Sequence, residues 1–253
     1  MIRFICESDE KRAGIRAAEI ICEVVRQRPD AVLGLATGST PLGLYSELVR
    51  RYLSGEISFG RASSVNLDEY VGLPPSHPQS YAFFMRQNLF DGIDIPPQNT
   101  HIPGGASGDP AAECDAYDRL LDRLGRVDIQ LLGIGHNGHI AFNEPASHFP
   151  KDTTLVTLSD STVKANSRFF DSPSDVPRQA ISMGIGRILR ARRILLLATG
   201  QGKAEILERS LFGSVTPSVP ASILQFYQGE LTVIGDTHAF SVILERHPDI
   251  PLE

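Results

Sequence analysis

The sequence predicts an α/β fold, with a mainly parallel sheet covered by helices on both faces. Three observations carry that prediction. Short apolar runs alternate with amphipathic stretches along the whole chain. Several of the runs are apolar without interruption, as strands buried on both faces must be. Polar, glycine-rich loops follow "LGLA", "VNL" and "LLGIG", where open parallel sheets place their ligands.

The elements follow in order. "IRFIC" reads as a strand. From Arg12 to Arg26, Ile15, Ala18, Cys22 and Val25 recur at helical spacing. "AVLGLA" is a buried strand, the turn "TGSTP" follows, and Leu42 to Tyr52 is helical. "SSVNL" is a further strand that runs out at Asp68-Glu69-Tyr70. A loop rich in proline and glycine holds a helix from about Tyr81 to Phe90. Pro110 to Leu124 is helical, with Pro110 suited to a first turn. "VDIQLLGIG", "TLVTL", "AISMG", "RILLLATG" and "LTVIG" are the later strands, and Lys203 to Phe212 is a helix between the last two. No linker interrupts the pattern, so residues 1–253 are expected to form one Rossmann-like domain.

Bulk properties exclude several classes. A net charge of −6 argues against a general nucleic-acid binder. Three widely spaced cysteines, Cys6, Cys22 and Cys114, with no CxxC, read as reduced thiols rather than a disulfide framework. Charges break the first apolar run too early for a secretory signal, and runs such as "ILLLA" are too short to span a bilayer. The expectation is a cytoplasmic protein without membrane or nucleic-acid partners.

Chemistry concentrates in three loops. In "ATGSTPLGLY" a strand leads through Thr37, Gly38, Ser39 and Thr40 into a helix. Exposed amides and hydroxyls there suit a phosphate, although Ser39 or Thr40 capping the helix explains the same residues. It is not a Walker A loop, because GK[ST] is missing. In "NLDEYVGL", Asp68 and Glu69 sit at a strand end, and alternation lets only one of them face a cleft. In "GIGHNGHIAFNEP", His136, His139 and Glu144 match no zinc pattern, so no metal is expected. A His139–Glu144 pair suits acid–base work instead, since a carboxylate on one ring nitrogen fixes the tautomer. Arg168 in "VKANSRFFD" and Lys203 after "LLLATGQG" are the cations best placed to join a site.

With these motifs in hand, the chain resembles the glucosamine-6-phosphate deaminase (isomerising) family. "LATGSTP", "NLDEYVGL", "GIGHNGHIAFNEP", "ANSRFF" and "GQGKA" follow that family's order and spacing across nearly the whole chain. The related 6-phosphogluconolactonases share the fold, carry a basic residue where this chain has Tyr70, and lack "AFNEP". The resemblance implies that glucosamine 6-phosphate and water give fructose 6-phosphate and ammonia, with no organic cofactor and no metal. It implies that His139 opens the sugar ring, oriented and tuned by Asn137 and Glu144, and that Asp68 shuttles a proton between C2 and C1. Gly38, Ser39 and Thr40, with Thr37 beside them, would hold the phosphate together with Arg168 and Lys203. A lid at about residues 154–183 is also implied.

Two departures from the family pattern bear on function. Many relatives have an aspartate where this chain has Asn137. Asparagine orients the histidine without charge, so a less perturbed imidazole is expected, with Glu144 carrying the electrostatics. Allosteric relatives bind an effector phosphate through basic residues where this chain has Thr154 and Val156, so no activation by N-acetylglucosamine 6-phosphate is expected. Monomer and homo-oligomer both stay open. A lactonase-like hydrolase and a non-catalytic sugar-phosphate-sensing module are the competing readings. The first predicted strand begins at residue 2 with no helix-turn-helix ahead of it, which counts against the module.

Overall fold

The computed structural model describes residues 2–253. The chain runs through β1 (Ile2–Glu7), α1 (Glu10–Gln27), β2 (Val32–Leu35), α2 (Leu42–Leu53), β3 (Ser63–Asn66), β4 (Asp68–Tyr70) and α3 (Tyr81–Asn88). It continues through β5 (Thr100–His101), α4 (Pro110–Leu124), β6 (Ile129–Leu132), β7 (Thr154–Thr157), α5 (Asp160–Asn166) and β8 (Gln179–Ser182). The last elements are α6 (Ile185–Ile188), β9 (Arg193–Ala198), α7 (Ala204–Phe212), β10 (Glu230–Asp236) and α8 (Thr237–Arg246).

Seven strands form one all-parallel sheet in the order β1-β10-β9-β6-β2-β3-β5. Consecutive residues of β2, β6, β9 and β10 are buried, so both faces of the sheet's centre are covered. The α/β fold read from the sequence is therefore the observed one. Side-chain size sets the spacing of its layers. A Cβ on Gly14 of α1 would lie 3.1 Å from the backbone of Gly43 and Leu44, so glycine lets α1 and α2 approach closely. Tyr117 of α4, fully buried, donates from its hydroxyl to the carbonyl of Asn66 at the end of β3.

The sheet order fixes where a ligand can enter. From β2 the chain moves to β3 on one side, whereas β6 leads to β9 on the other. The loops leaving β2 and β6 thus diverge, and the crevice between them is a topological switch point.

Three features differ from the sequence reading. The run through "SSVNL" into Asp68 is not one strand: after Leu67 the chain leaves the main sheet, and β4 joins a small antiparallel sheet in the order β4-β8-β7. The two-residue edge strand β5 and the C-terminal helix α8 had not been picked out. β5 is too short to show a period, and α8 starts directly on Asp236, the last residue of β10, which also caps it through Ala239 N. The third difference is Lys203, which closes a 3₁₀ turn ahead of α7 instead of opening the helix.

Candidate active site

The crevice between the β2 and β6 loops opens into a pocket. It is lined by Thr37, Gly38, Ser39 and Thr40 after β2, by Asp68 and Tyr70 of β4, by His136 and His139 after β6, and by Arg168 and Lys203. Asn137 and Glu144 stand behind His139 rather than in the wall.

The β2 loop is built to leave its polar groups free. Gly38 takes φ +100, a left-handed conformation that glycine adopts without strain. Helix α2 begins at Pro41 with no side-chain cap, so the hydroxyls of Ser39 and Thr40 are not spent on capping. The capping reading of these residues is therefore not what the structure shows. The loop is held from behind by Tyr45, whose buried hydroxyl accepts from the Ala36 amide at 3.2 Å and donates to the Ala36 carbonyl. Across the pocket, Lys203 Nζ donates to the Ile134 carbonyl at 2.7 Å. Burial, together with the neighbouring Arg168 charge, lowers the Lys203 pKa. Arg168 lies exposed, its guanidinium 4.7 Å from the centre of the Phe169 ring. Hydroxyls, the amides at the start of α2 and two cations therefore line the same pocket, a set suited to an anion.

β4 explains how Asp68 and Glu69 divide. Alternation sends Asp68 and Tyr70 to the pocket and Glu69 to the other side. The Glu69 carboxylate accepts from the backbone N–H of Tyr70, Tyr81 and Ala82 at 2.8 to 2.9 Å, which ties β4 to the start of α3. Asp68, 6% exposed, has no hydrogen-bonding partner among the described residues. Burial, with the nearby Glu69 charge adding to it, pushes its pKa up from 3.8 to about 8. Such a carboxylate is a far stronger base than a solvated one.

The loop after β6 holds the imidazole. His139 and Glu144 do not meet directly: Nδ1 and Oε2 are 3.9 Å apart. Asn137 bridges them, with Nδ2 donating to Glu144 Oε2 at 2.8 Å and Oδ1 lying 2.7 Å from His139 Nδ1. A carboxylate only accepts, so the amide NH₂ must face Glu144 and the amide oxygen must face the histidine. Nδ1 therefore carries the proton, and Nε2, without a partner among the described residues, is the free base. The backbone N–H of His139 also donates to Asn137 Oδ1 at 3.2 Å, which locks the amide further. Asn143 anchors the loop by donating to the carbonyls of Ile140 and Met183, and Ala141 completes the turn at φ 52.

The expected mild perturbation of the imidazole is not what the structure shows. Burial takes the His139 pKa down to about 4, the Glu144 charge opposes this, and Lys203 and His136 add to the fall. With a neutral amide at residue 137, the Glu144 charge offsets burial only in part. Asn137→Asp is expected to raise the His139 titration midpoint toward neutrality, because a carboxylate on Nδ1 stabilises the imidazolium. Histidine ¹⁵N NMR of the two chains checks this.

An aromatic cushion under the pocket had not been singled out. Tyr70, Tyr81 and Phe142 pack with ring centroids 4.9 to 5.9 Å apart, and Phe170 meets the Tyr70 ring edge-on at 5.8 Å. Tyr70 was legible as a position two residues from Asp68, and so on the same strand face. The other three come from distant segments, which no local period connects. His136, considered above only as a metal ligand, also lines the pocket, with its ring 6.3 Å from that of His139.

Residues 10–233 match the family model described as glucosamine-6-phosphate isomerases/6-phosphogluconolactonase. The chain belongs to this family. Within the glucosamine-6-phosphate isomerase/6-phosphogluconolactonase family, relatives at 44–55% identity are glucosamine-6-phosphate deaminases. The glucosamine-6-phosphate deaminase of Lachnoclostridium phytofermentans is 55% identical over 219 residues, covering 87% of this chain and 92% of that protein. The glucosamine-6-phosphate deaminase of Halothermothrix orenii is 49% identical, covering 96% of this chain and all of the other. A solved monomeric glucosamine-6-phosphate deaminase superposes with a TM-score of 0.92 at 44% identity, covering 95% of this chain and 99% of that one. The 6-phosphogluconolactonase of Trypanosoma brucei shares the fold, with a TM-score of 0.76 at 19% identity.

Proposed function

We propose that the chain converts glucosamine 6-phosphate and water to fructose 6-phosphate and ammonia. One observation carries the reading. A buried carboxylate without partners and an imidazole of fixed tautomer open onto the same pocket, whose wall also carries the Thr37–Thr40 loop, Lys203 and Arg168. The family relatives at 44–55% identity that are named deaminases support it.

The geometry gives each group a step. The phosphate sits among Thr37, Gly38, Ser39 and Thr40, with Lys203 and Arg168 opposite, and that anchorage positions the reacting carbons. The sugar enters as a closed ring. His139 Nε2 takes the proton of the C1 hydroxyl and returns it to the ring oxygen, which opens the chain. Asn137 and Glu144 keep the ring nitrogen's lone pair aimed at the sugar throughout. Asp68 then removes the proton from C2 and delivers one to C1, through an enolamine. The product is an imine at C2. Water adds there and ammonia leaves, so the net change is hydrolysis of a C–N bond with an aldose-to-ketose shift and no change in redox state. The substrate's amino group, when protonated, favours ionised Asp68 by its charge.

Residues 154–183 carry β7, α5 and β8 and include Arg168, so we assign them as a lid whose closure brings that cation to the phosphate. The solved deaminase at 44% identity is monomeric, which supports a monomer here. A lactonase on this fold would release no ammonia, and a sensing module would turn nothing over. The test is a coupled ammonia and fructose 6-phosphate assay on the purified chain with added chelator. Stoichiometric formation of both products is expected. Tight sugar-phosphate binding without ammonia release would overturn the reading.

A further inference from the structure

The lid helix α5 touches the acid–base machinery at both ends. At its N-terminus, Ser159 caps the helix by accepting from Thr162 N at 3.2 Å. The same hydroxyl lies 3.3 Å from Glu144 Oε1, the carboxylate oxygen that Asn137 leaves free. At its C-terminus, Asn166 Nδ2 donates to the Tyr70 hydroxyl at 2.9 Å, and Tyr70 shares β4 and its pocket-facing side with Asp68. Two further hydroxyls stand near Ser159 Oγ: Ser161 Oγ at 2.9 Å and Thr162 Oγ1 at 3.1 Å. Ser161 can donate to Ser159 or accept from it, whereas Thr162 Oγ1 accepts from Ser159 and so competes for its proton. Glu144 is the one anion in reach, and a charged acceptor makes the stronger bond, so the single Ser159 proton is assigned to it.

We infer that Ser159 is a positioning residue for the acid–base relay: through its hydroxyl the N-terminus of α5 holds Glu144, and through Glu144 and Asn137 it holds the His139 imidazole. The chain of contacts is continuous, from Ser159 Oγ to Glu144, to Asn137 and to His139 Nδ1. It makes the state of the base depend on where the lid helix sits. A lid that lifts takes the donor from Glu144 at one end and from Tyr70 at the other. The catalytic importance of the relay rests on the proposed deamination, but the contact itself does not.

The direction of the effect follows from the charge. The titratable neighbours of the imidazole are Glu144, Lys203 and His136, and Ser159 touches only the first. Without the Ser159 donor, the Glu144 charge is less shared and polarises Asn137 more strongly, which favours the imidazolium. Histidine ¹⁵N NMR on the substrate-free full chain, with His139 assigned by comparison with His139→Gln, reads this without any turnover. Ser159→Ala and Ser159→Gly are each expected to raise the His139 midpoint by ~0.3 unit or more and to lower kcat by ~3- to 10-fold with KM little changed. Ser159→Thr, which keeps the hydroxyl, restores both. The glycine variant isolates the contact, because glycine at a helix cap costs only a few tenths of a kcal/mol. An unmoved midpoint in both the Ala and Gly variants, with only a lower melting temperature, would make Ser159 a cap and nothing more, and would overturn the inference. If the wild-type chain released no ammonia, the proposed function would fail, and the NMR comparison would still decide the role of Ser159.

Discussion

Asp68→Asn is expected to lower the rate of ammonia release by about 10³ while making the folded chain more stable at alkaline pH. The two effects have one cause. Asp68 is 6% exposed and accepts no hydrogen bond among the described residues, so its charged form is poorly solvated. That cost is what makes it a strong base for a carbon-bound proton. Asparagine has nearly the same shape and no basicity, so binding survives and proton transfer stops. The expected kinetic signature is a collapse of kcat with KM for the sugar phosphate nearly unchanged. Unchanged turnover in the variant would remove Asp68 from the mechanism.

The stability effect has a definite pH window. The Asp68 carboxyl titrates at about 8 in the fold, against an ordinary value of 3.8. Between those values the folded chain keeps a proton that the unfolded chain has released. Stability therefore falls as pH rises from about 4, and the loss is complete above about 8. Asparagine does not ionise and escapes the loss. Thermal melts of the two chains should agree near pH 4 and diverge upward in pH, to a difference on the order of a few kcal/mol by pH 9. A gap that stays constant with pH would mean that something other than ionisation separates them.

Much of this site was legible in the sequence because local rules govern it. Buried parallel strands announce themselves as apolar runs, and the ends of β2 and β6 are where polar loops must gather. The division between Asp68 and Glu69 follows from strand alternation alone. Other features depend on groups that are remote in the chain. The three amides that hold Glu69 belong partly to α3, a dozen residues on. The direct His139–Glu144 pair became a bridge through Asn137, because the loop geometry places 3.9 Å between them and the sequence does not encode that distance. The downward shift of the imidazole was missed for a related reason. Residue identity at 137 says which charge is absent, whereas burial, the dominant cause, is set by everything packed around the ring. The departure of β4 into a second sheet escaped notice because "SSVNLDEY" stays strand-like on both sides of Leu67.

Gly135→Ala is expected to be nearly as damaging as removing His139 itself. A Cβ built on Gly135 would lie 2.2 to 2.3 Å from three atoms of the His139 ring, well inside any real contact. The backbone cannot easily yield, since Gly135 N donates to His139 O at 2.8 Å and Gly138 N donates to Gly135 O at 3.0 Å. The ring must therefore swing away from Asn137, losing both its fixed tautomer and its place over the sugar. A displacement on the order of 1 Å costs roughly 10²-fold in rate, while the proposed phosphate contacts of the Thr37–Thr40 loop are not displaced, so KM should stay close to its original value. Gly108, ahead of α4 and outside the pocket lining, is the control: a Cβ there meets nothing within 4 Å, so Gly108→Ala should leave kcat intact. Combining Gly135→Ala with His139→Gln gives the sharper test. If the alanine acts only by displacing the imidazole, the double variant is no slower than His139→Gln alone, because a ring that is absent cannot be pushed aside. Additive losses would mean that Gly135 serves the reaction in some way other than making room for the base.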